Sequence, residues 1–256
     1  MTMDELDLTR DGEIAILTLR RPMSIDSAGK RALTDAVARL SMYDIPRTLI
    51  ITSNHPQAFL VNLGELADMA PVEARAFSAA GHRMAQTLEE APFPIIAVVE
   101  GAALGGGCEL MLACDIAVAG ELATFGQIEA LGGVMPAFGG AWRLARRVGH
   151  QRALEMMFTA AVIDADTALA YGLILEVATA GSALLNAIAL ADRIAKTSAA
   201  SLTAIKRVSR LGWNLPPAAI DALEEASFPA LFGPEQSARM RAYLEQRTQL
   251  LPTVGG

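Results

Sequence analysis

Residues 94–120 read PIIAVVEGAALGGGCELMLACDIAVAG, and this stretch decides the fold. Ile95–Val99 is an unbroken apolar run of the kind found in strands buried on both faces. Gly106–Ala113 reads as a helix and Ile116–Ala119 as another strand. Strand, helix and strand in close succession predict parallel βαβ packing with a right-handed crossover. The stretch also carries Glu100, Glu109, Asp115 and three consecutive glycines, which excludes a membrane span.

Working outward, Leu6–Thr9 and Ile14–Leu19 flank Arg10-Asp11-Gly12 and predict a β-hairpin. Ser27 is placed to cap a helix with Leu33, Val37 and Leu40 on one face, ending before Pro46. Thr48–Thr52 is a short β-branched strand. A loop is expected over Ser53–Gly64 and a helix from Pro71 to about Glu90. Beyond Gly139 the pattern changes to helices at 139–148, 151–160, 165–171, 181–196, 199–211, 217–228 and 234–248, with one strand at Leu173–Val177. The expected organisation is an α/β core over residues 1–190 and a helical part over 191–256.

A chain that is 52% hydrophobic and 19% charged has enough apolar surface for a large core, which excludes disorder. The abundance of alanine suggests further burial between subunits. A net charge of −7 argues against nucleic acid, which needs a basic face. Cys108 and Cys114 match no zinc or redox spacing and read as buried thiols in a reducing compartment. With the acidic start Met1–Leu6 lacking a signal peptide, a cytoplasmic location is expected.

Several chemistries lack their motifs. There is no G-x-S-x-G elbow, no phosphate-binding glycine loop and no H-E-x-x-H. His55, His82 and His150 lie far apart, so no metal site is expected.

The three glycines at 105–107 open the predicted helix despite a propensity cost of about 1 kcal/mol each in a helix interior. Two readings fit them. They permit tight helix–strand packing, or they let a ligand oxygen approach N–H groups that have no partner within the helix. Glu109 falls in the first turn, inside an otherwise apolar segment where an idle carboxylate would be costly. Glu129 follows twenty positions later, in a turn-rich segment before Gly132, Gly133 and Pro136. Two carboxylates facing one site could divide general acid and general base work.

Residues 94–120 closely resemble the signature of the crotonase superfamily, the enoyl-CoA hydratase/isomerase family. The similarity continues through Phe125-Gly-Gln-Ile-Glu and Pro136-Ala-Phe-Gly-Gly-Ala-Trp-Arg-Leu, and more weakly through Arg20-Arg21-Pro22 and Ala170-Tyr-Gly-Leu-Ile. The resemblance implies a spiral of ββα units with a C-terminal helical part that trimerises, and homotrimers or homohexamers. It implies an acyl-CoA substrate, with the coenzyme A thioester as reactant and no resident cofactor. In the family's hydratases a water between two glutamates adds across a 2-enoyl-CoA; those glutamates correspond to Glu109 and Glu129.

Two peptide N–H groups hold the family's thioester oxygen. One corresponds to Gly106, the other to Leu63, or to Gly64 if the register slips by one. The family's lysine after this loop is Leu66 here, its Ala-x-Asn is Ser24-Ile25-Asp26, and a usual acidic–glycine pair is Ala238-Arg239. Substrate contacts are therefore expected from Ser24, Gly64, Leu66, Arg21 and Lys206, with Arg20 and Arg207 as further candidates. Hydration is the first expected activity. Isomerisation, hydrolysis or C–C cleavage on the same platform, and a non-catalytic acyl-CoA-binding role, are the alternatives.

Overall fold

The computed structural model describes residues 6–61 and 63–250, without the side chains of Leu63 and 247–250. The acidic start, Asn62 and residues 251–256 lie outside the described residues. The chain divides into two units, residues 1–196 and 197–256.

The first unit is built on a six-stranded sheet. Strands β1 (Leu6–Asp11) and β2 (Ile14–Leu19) form the expected antiparallel hairpin, turning at Gly12 with φ +55°. Parallel to β2 run β3 (Thr48–Ser53), β4 (Ile95–Val99), β6 (Ile116–Gly120) and β9 (Glu176–Ala178), in the order β1-β2-β3-β4-β6-β9. The crossovers carry α1 (Ser27–Tyr43), α2 (Pro71–Glu90) and α3 (Gly106–Ala113).

Successive side chains of a strand point to opposite faces, and both faces of this sheet are covered. Leu49, Ile51, Ile95 and Ala97 join Leu33, Val37, Met84 and Leu88 of α1 and α2 in the main core. Ile50, Ile96 and Val118 face the other way, onto Ala183, Ala187 and Ala191 of α7 (Ala183–Ala195). That four-residue spacing is one helical stripe, so part of the alanine content is used inside the chain. It also keeps the whole of α7 with the first unit, which ends at Lys196.

A second sheet escapes the sequence reading. Strands β5 (Ala102–Leu104), β7 (Thr124–Gly126) and β8 (Val162–Asp164) are three residues each, with β5 parallel to β7 and β8 antiparallel to it. Three residues are too few to show a period of two. Around them lie α4 (Gly140–Val148), α5 (His150–Thr159) and α6 (Ala165–Ala170). The strand expected at Leu173–Val177 begins later, because the Leu173 N–H turns back to Ala168 O to close α6.

The second unit contains α8 (Ala199–Gly212), α9 (Pro217–Ser227) and α10 (Pro234–Leu250). Among the described residues no helix is long and apolar enough to cross a membrane.

Candidate active site

The small sheet explains how residues twenty positions apart converge. Strand β5 delivers the chain to Gly105 and α3; β7 delivers it to Gln127 and Glu129. Their parallel register pairs Leu104 with Gly126, so the segments that follow emerge side by side. Gly105 confirms the proximity by donating its N–H to Gly126 O at 2.9 Å.

Every residue of α3 is buried, and Glu109 is its one ionisable carboxylate at 1% exposure. Burial raises its proton affinity above the usual carboxylate value, opposed by backbone N–H donors and Arg143. Glu109 Oε1 accepts from Phe138 N at 2.7 Å and Gly140 N at 2.6 Å. Gly140 opens α4, so the positive end of that helix faces the carboxylate. The Phe138 carbonyl accepts from Arg143 Nη1 at 2.6 Å, and Arg143 is itself clamped by Glu89 at 2.7 and 3.0 Å.

Glu129 opens a 3-10 turn, Glu129–Gly132, that Gly133 ends in the left-handed region at φ +72°. Burial, and after it the negative charge of Glu109, pushes its carboxyl up to about 7. Gln127, 1% exposed, donates through its side-chain nitrogen to both Glu129 oxygens at 2.9 and 3.1 Å. Glu129 Oε1 also stands 3.1 Å from where a Cβ on Gly105 would lie, which puts this carboxylate at the head of α3. Burial, followed by both carboxylates, raises Cys108 and keeps it a thiol, which makes it a poor nucleophile.

The three glycines differ in conformation and in what a side chain would meet. Gly107 is a packing glycine: a Cβ there would stand 1.8 Å from Phe59 O. Gly105 caps the helix with φ +55°, a conformation that favours glycine. Gly106 is the first helical residue, so its N–H has no acceptor within the helix. Its Cβ position is flanked by Val61 Cγ2 and Phe138 Cε2.

The remaining expected site residues are spread more widely. Leu63 opens a 3-10 turn, Leu63–Glu65, two residues beyond Val61. Gly64 is exposed in that turn, and Leu66 packs against the main core. Ser24 is buried and its hydroxyl donates to Arg21 O; Arg21 pairs with Asp26 at 2.7 Å. Asp26, rather than Ser27, caps α1 by accepting from Gly29 N at 2.8 Å. Lys206 is half-buried on α8, and Arg20 and Arg207 are exposed. Among the described residues no group of three or more His, Cys, Asp or Glu could hold a metal ion.

Sequence reasoning missed Gln127, Arg143 and Lys30. A single glutamine or arginine has no motif of its own, but Lys30 did leave a signal. It precedes Leu33, Val37 and Leu40 on the buried face of α1, where a lysine is out of place.

A family model described as enoyl-CoA hydratase/isomerase matches residues 9–250. The chain belongs to that family. It is 30% identical to the short-chain-enoyl-CoA hydratase of Clostridium acetobutylicum, covering 96% of this chain and 97% of the relative. It is 32% identical to the crotonyl-CoA hydratase of Syntrophomonas wolfei, with the same coverage. The solved enoyl-CoA hydratase of Bacillus anthracis superposes with a TM-score of 0.89 at 26% identity, over 94% of this chain and 96% of that one. Pseudomonas aeruginosa DspI superposes at 0.90 with 28% identity, over 96% and 97%. The architecture is therefore the crotonase fold, and family membership supports crotonase-type acyl-CoA activity. The two named relatives are hydro-lyases; the family also contains isomerases.

Proposed function

We propose that this chain is a 2-enoyl-CoA hydratase with Glu109 and Glu129 as its acid/base pair. The observation that carries the proposal is the meeting, at the glycine-opened head of α3, of two carboxylates whose proton affinity burial raises. The thioester oxygen accepts from the N–H groups of Gly106 and Leu63. Charge that builds on that oxygen as water attacks is stabilised there, and each such donor is worth about 10²–10³ in rate. Glu109 takes a proton from water as its oxygen bonds to C3. Glu129, which keeps a proton near neutral pH, delivers one to C2. The product carries hydroxyl at C3 and hydrogen at C2, and solvent exchange resets the two acids.

Glu109→Gln and Glu129→Gln test this directly with crotonyl-CoA, following loss of the conjugated thioester absorbance. Each substitution is expected to lower kcat by about 10²–10⁴. Wild-type rates in both variants would refute the mechanism.

A second crotonase chemistry on the same platform is supported by the apolar Leu66, which packs against the core where a CoA-contacting lysine would otherwise stand. Mass spectrometry of the products separates the two, since only hydration adds the mass of water.

A further inference from the structure

Lys30 is the most anomalous side chain in the first unit. It is 1% exposed, and its Nζ has no hydrogen-bond partner. Buried polar groups are nearly always paired, so an orphaned ammonium calls for an explanation. The Nζ lies 2.9 Å from the ring centroid of Phe77 and 4.6 Å from that of Phe138. The two rings are 5.3 Å apart, so the cation sits against both.

Phe138 connects this cation to the acid/base pair. The two edges of its ring press on glycines: a Cβ on Gly81 would fall 1.8 Å from Phe138 Cδ1, and one on Gly106 2.6 Å from Cε2. Its backbone N–H is one of the donors holding Glu109. A shift of the ring would therefore disturb both the Gly106 amide and Glu109.

We infer that Lys30 is a positioning residue for Glu109: its buried cation fixes the Phe138 ring and favours the carboxylate form of Glu109. The inference rests on the reading of Glu109 as the base. The charges that face Lys30 are Glu65 from the 3-10 turn, Asp26 and Arg31 from the α1 region, and Glu109 from α3; α2 contributes the uncharged Phe77. Glu109 in turn faces Arg143, Glu129 and the Cys108 thiol. Burial lowers Lys30 to about 7, so its charge is present below neutral pH and fades above it.

Lys30→Met and Lys30→Gln remove the cation while filling the space. Two measurements are made on each: the pH profile of kcat/KM for crotonyl-CoA, and infrared titration of the carboxylic-acid band that Glu109→Gln abolishes. Both variants are expected to move the Glu109 titration and the acid limb of the profile upward by about half a unit or more. KM should stay within about twofold. The thermal midpoint should hold or rise, because an unpaired buried cation has been removed. A merely structural lysine would lower stability and leave the titration in place. An unmoved infrared titration in both variants overturns the inference. The band is read without turnover, so this failure is distinct from full activity in Glu109→Gln, which would sink the catalytic reading itself.

Discussion

Gly140 stands so close to Glu109 that no side chain fits between them: a Cβ on Gly140 would lie 2.8 Å from Glu109 Cγ. The same Cβ would meet the end of the Gln127 side-chain amide at 2.7 Å. Gly140→Ala must therefore push Glu109 off its N–H donor and move the amide that steadies Glu129. A fall in kcat of about 10–100-fold is expected from misplacing the pair. Gly132→Ala, with nothing within 4 Å of its Cβ, is the matched control and should stay within about twofold of wild type. Equal activities for the two variants, measured on crotonyl-CoA, would contradict the geometry.

Glu129 predicts the direction of a pH effect on stability. Its carboxyl titrates at about 7 in the fold against a reference value of 4.5, so the folded chain holds the extra proton between those values. Stability from this group is fully present below about 4.5 and is lost as pH rises towards 7. Glu129→Gln removes that slope. The difference in unfolding free energy, variant minus wild type, should grow by a few kcal/mol at most between acid and neutral pH. A difference that stays constant or shrinks would mean the carboxyl is not raised.

Arg143 is the keystone of the loop that delivers Phe138. Its guanidinium is 5% exposed, spans both Glu89 oxygens and donates to the Phe138 carbonyl. Removing one partner of a buried pair leaves an uncompensated charge, at a cost of about 3–5 kcal/mol. Arg143→Met should thus lower the unfolding free energy by that amount, and kcat with it. Arg143→Lys restores the charge but not the planar fork, so it should recover only part of either. Denaturant melts and initial rates on both variants check the ordering.

Long periodic segments were legible without coordinates. The hairpin, β3, β4, β6 and the core-facing stripe of α1 all declare themselves, because burial forces apolar residues into a fixed period. The second sheet did not, since β5, β7 and β8 are each shorter than the window in which a period shows. That omission matters for the site: Glu109 and Glu129 were recognisable as residues, but the β5–β7 register that brings them together was not. Gln127, Arg143 and Lys30 act through tertiary contacts alone. Lys30 offered a hint, a charge within an apolar stripe, that periodicity would otherwise assign to the core.

The helical second unit makes the last prediction. Neither α8 nor α9 contains a buried residue, and Ile205, Trp213, Phe228 and Phe232 are all more than half exposed. The first unit likewise exposes Leu131, Val134, Met135 and Phe158, each by more than half. Large apolar side chains in such number are poorly suited to water and well suited to copies of the same chain. The exposed faces support self-association, and the family resemblance makes a homotrimer or a pair of trimers the assembly we propose. Light scattering should return a mass that is a multiple of three chains. Trp213→Asp combined with Phe228→Asp should reduce that mass and lower the thermal midpoint by several degrees, since burial lost at each site costs about 1.5–3 kcal/mol. A wild-type chain that scatters as a monomer would leave these faces without their proposed cover.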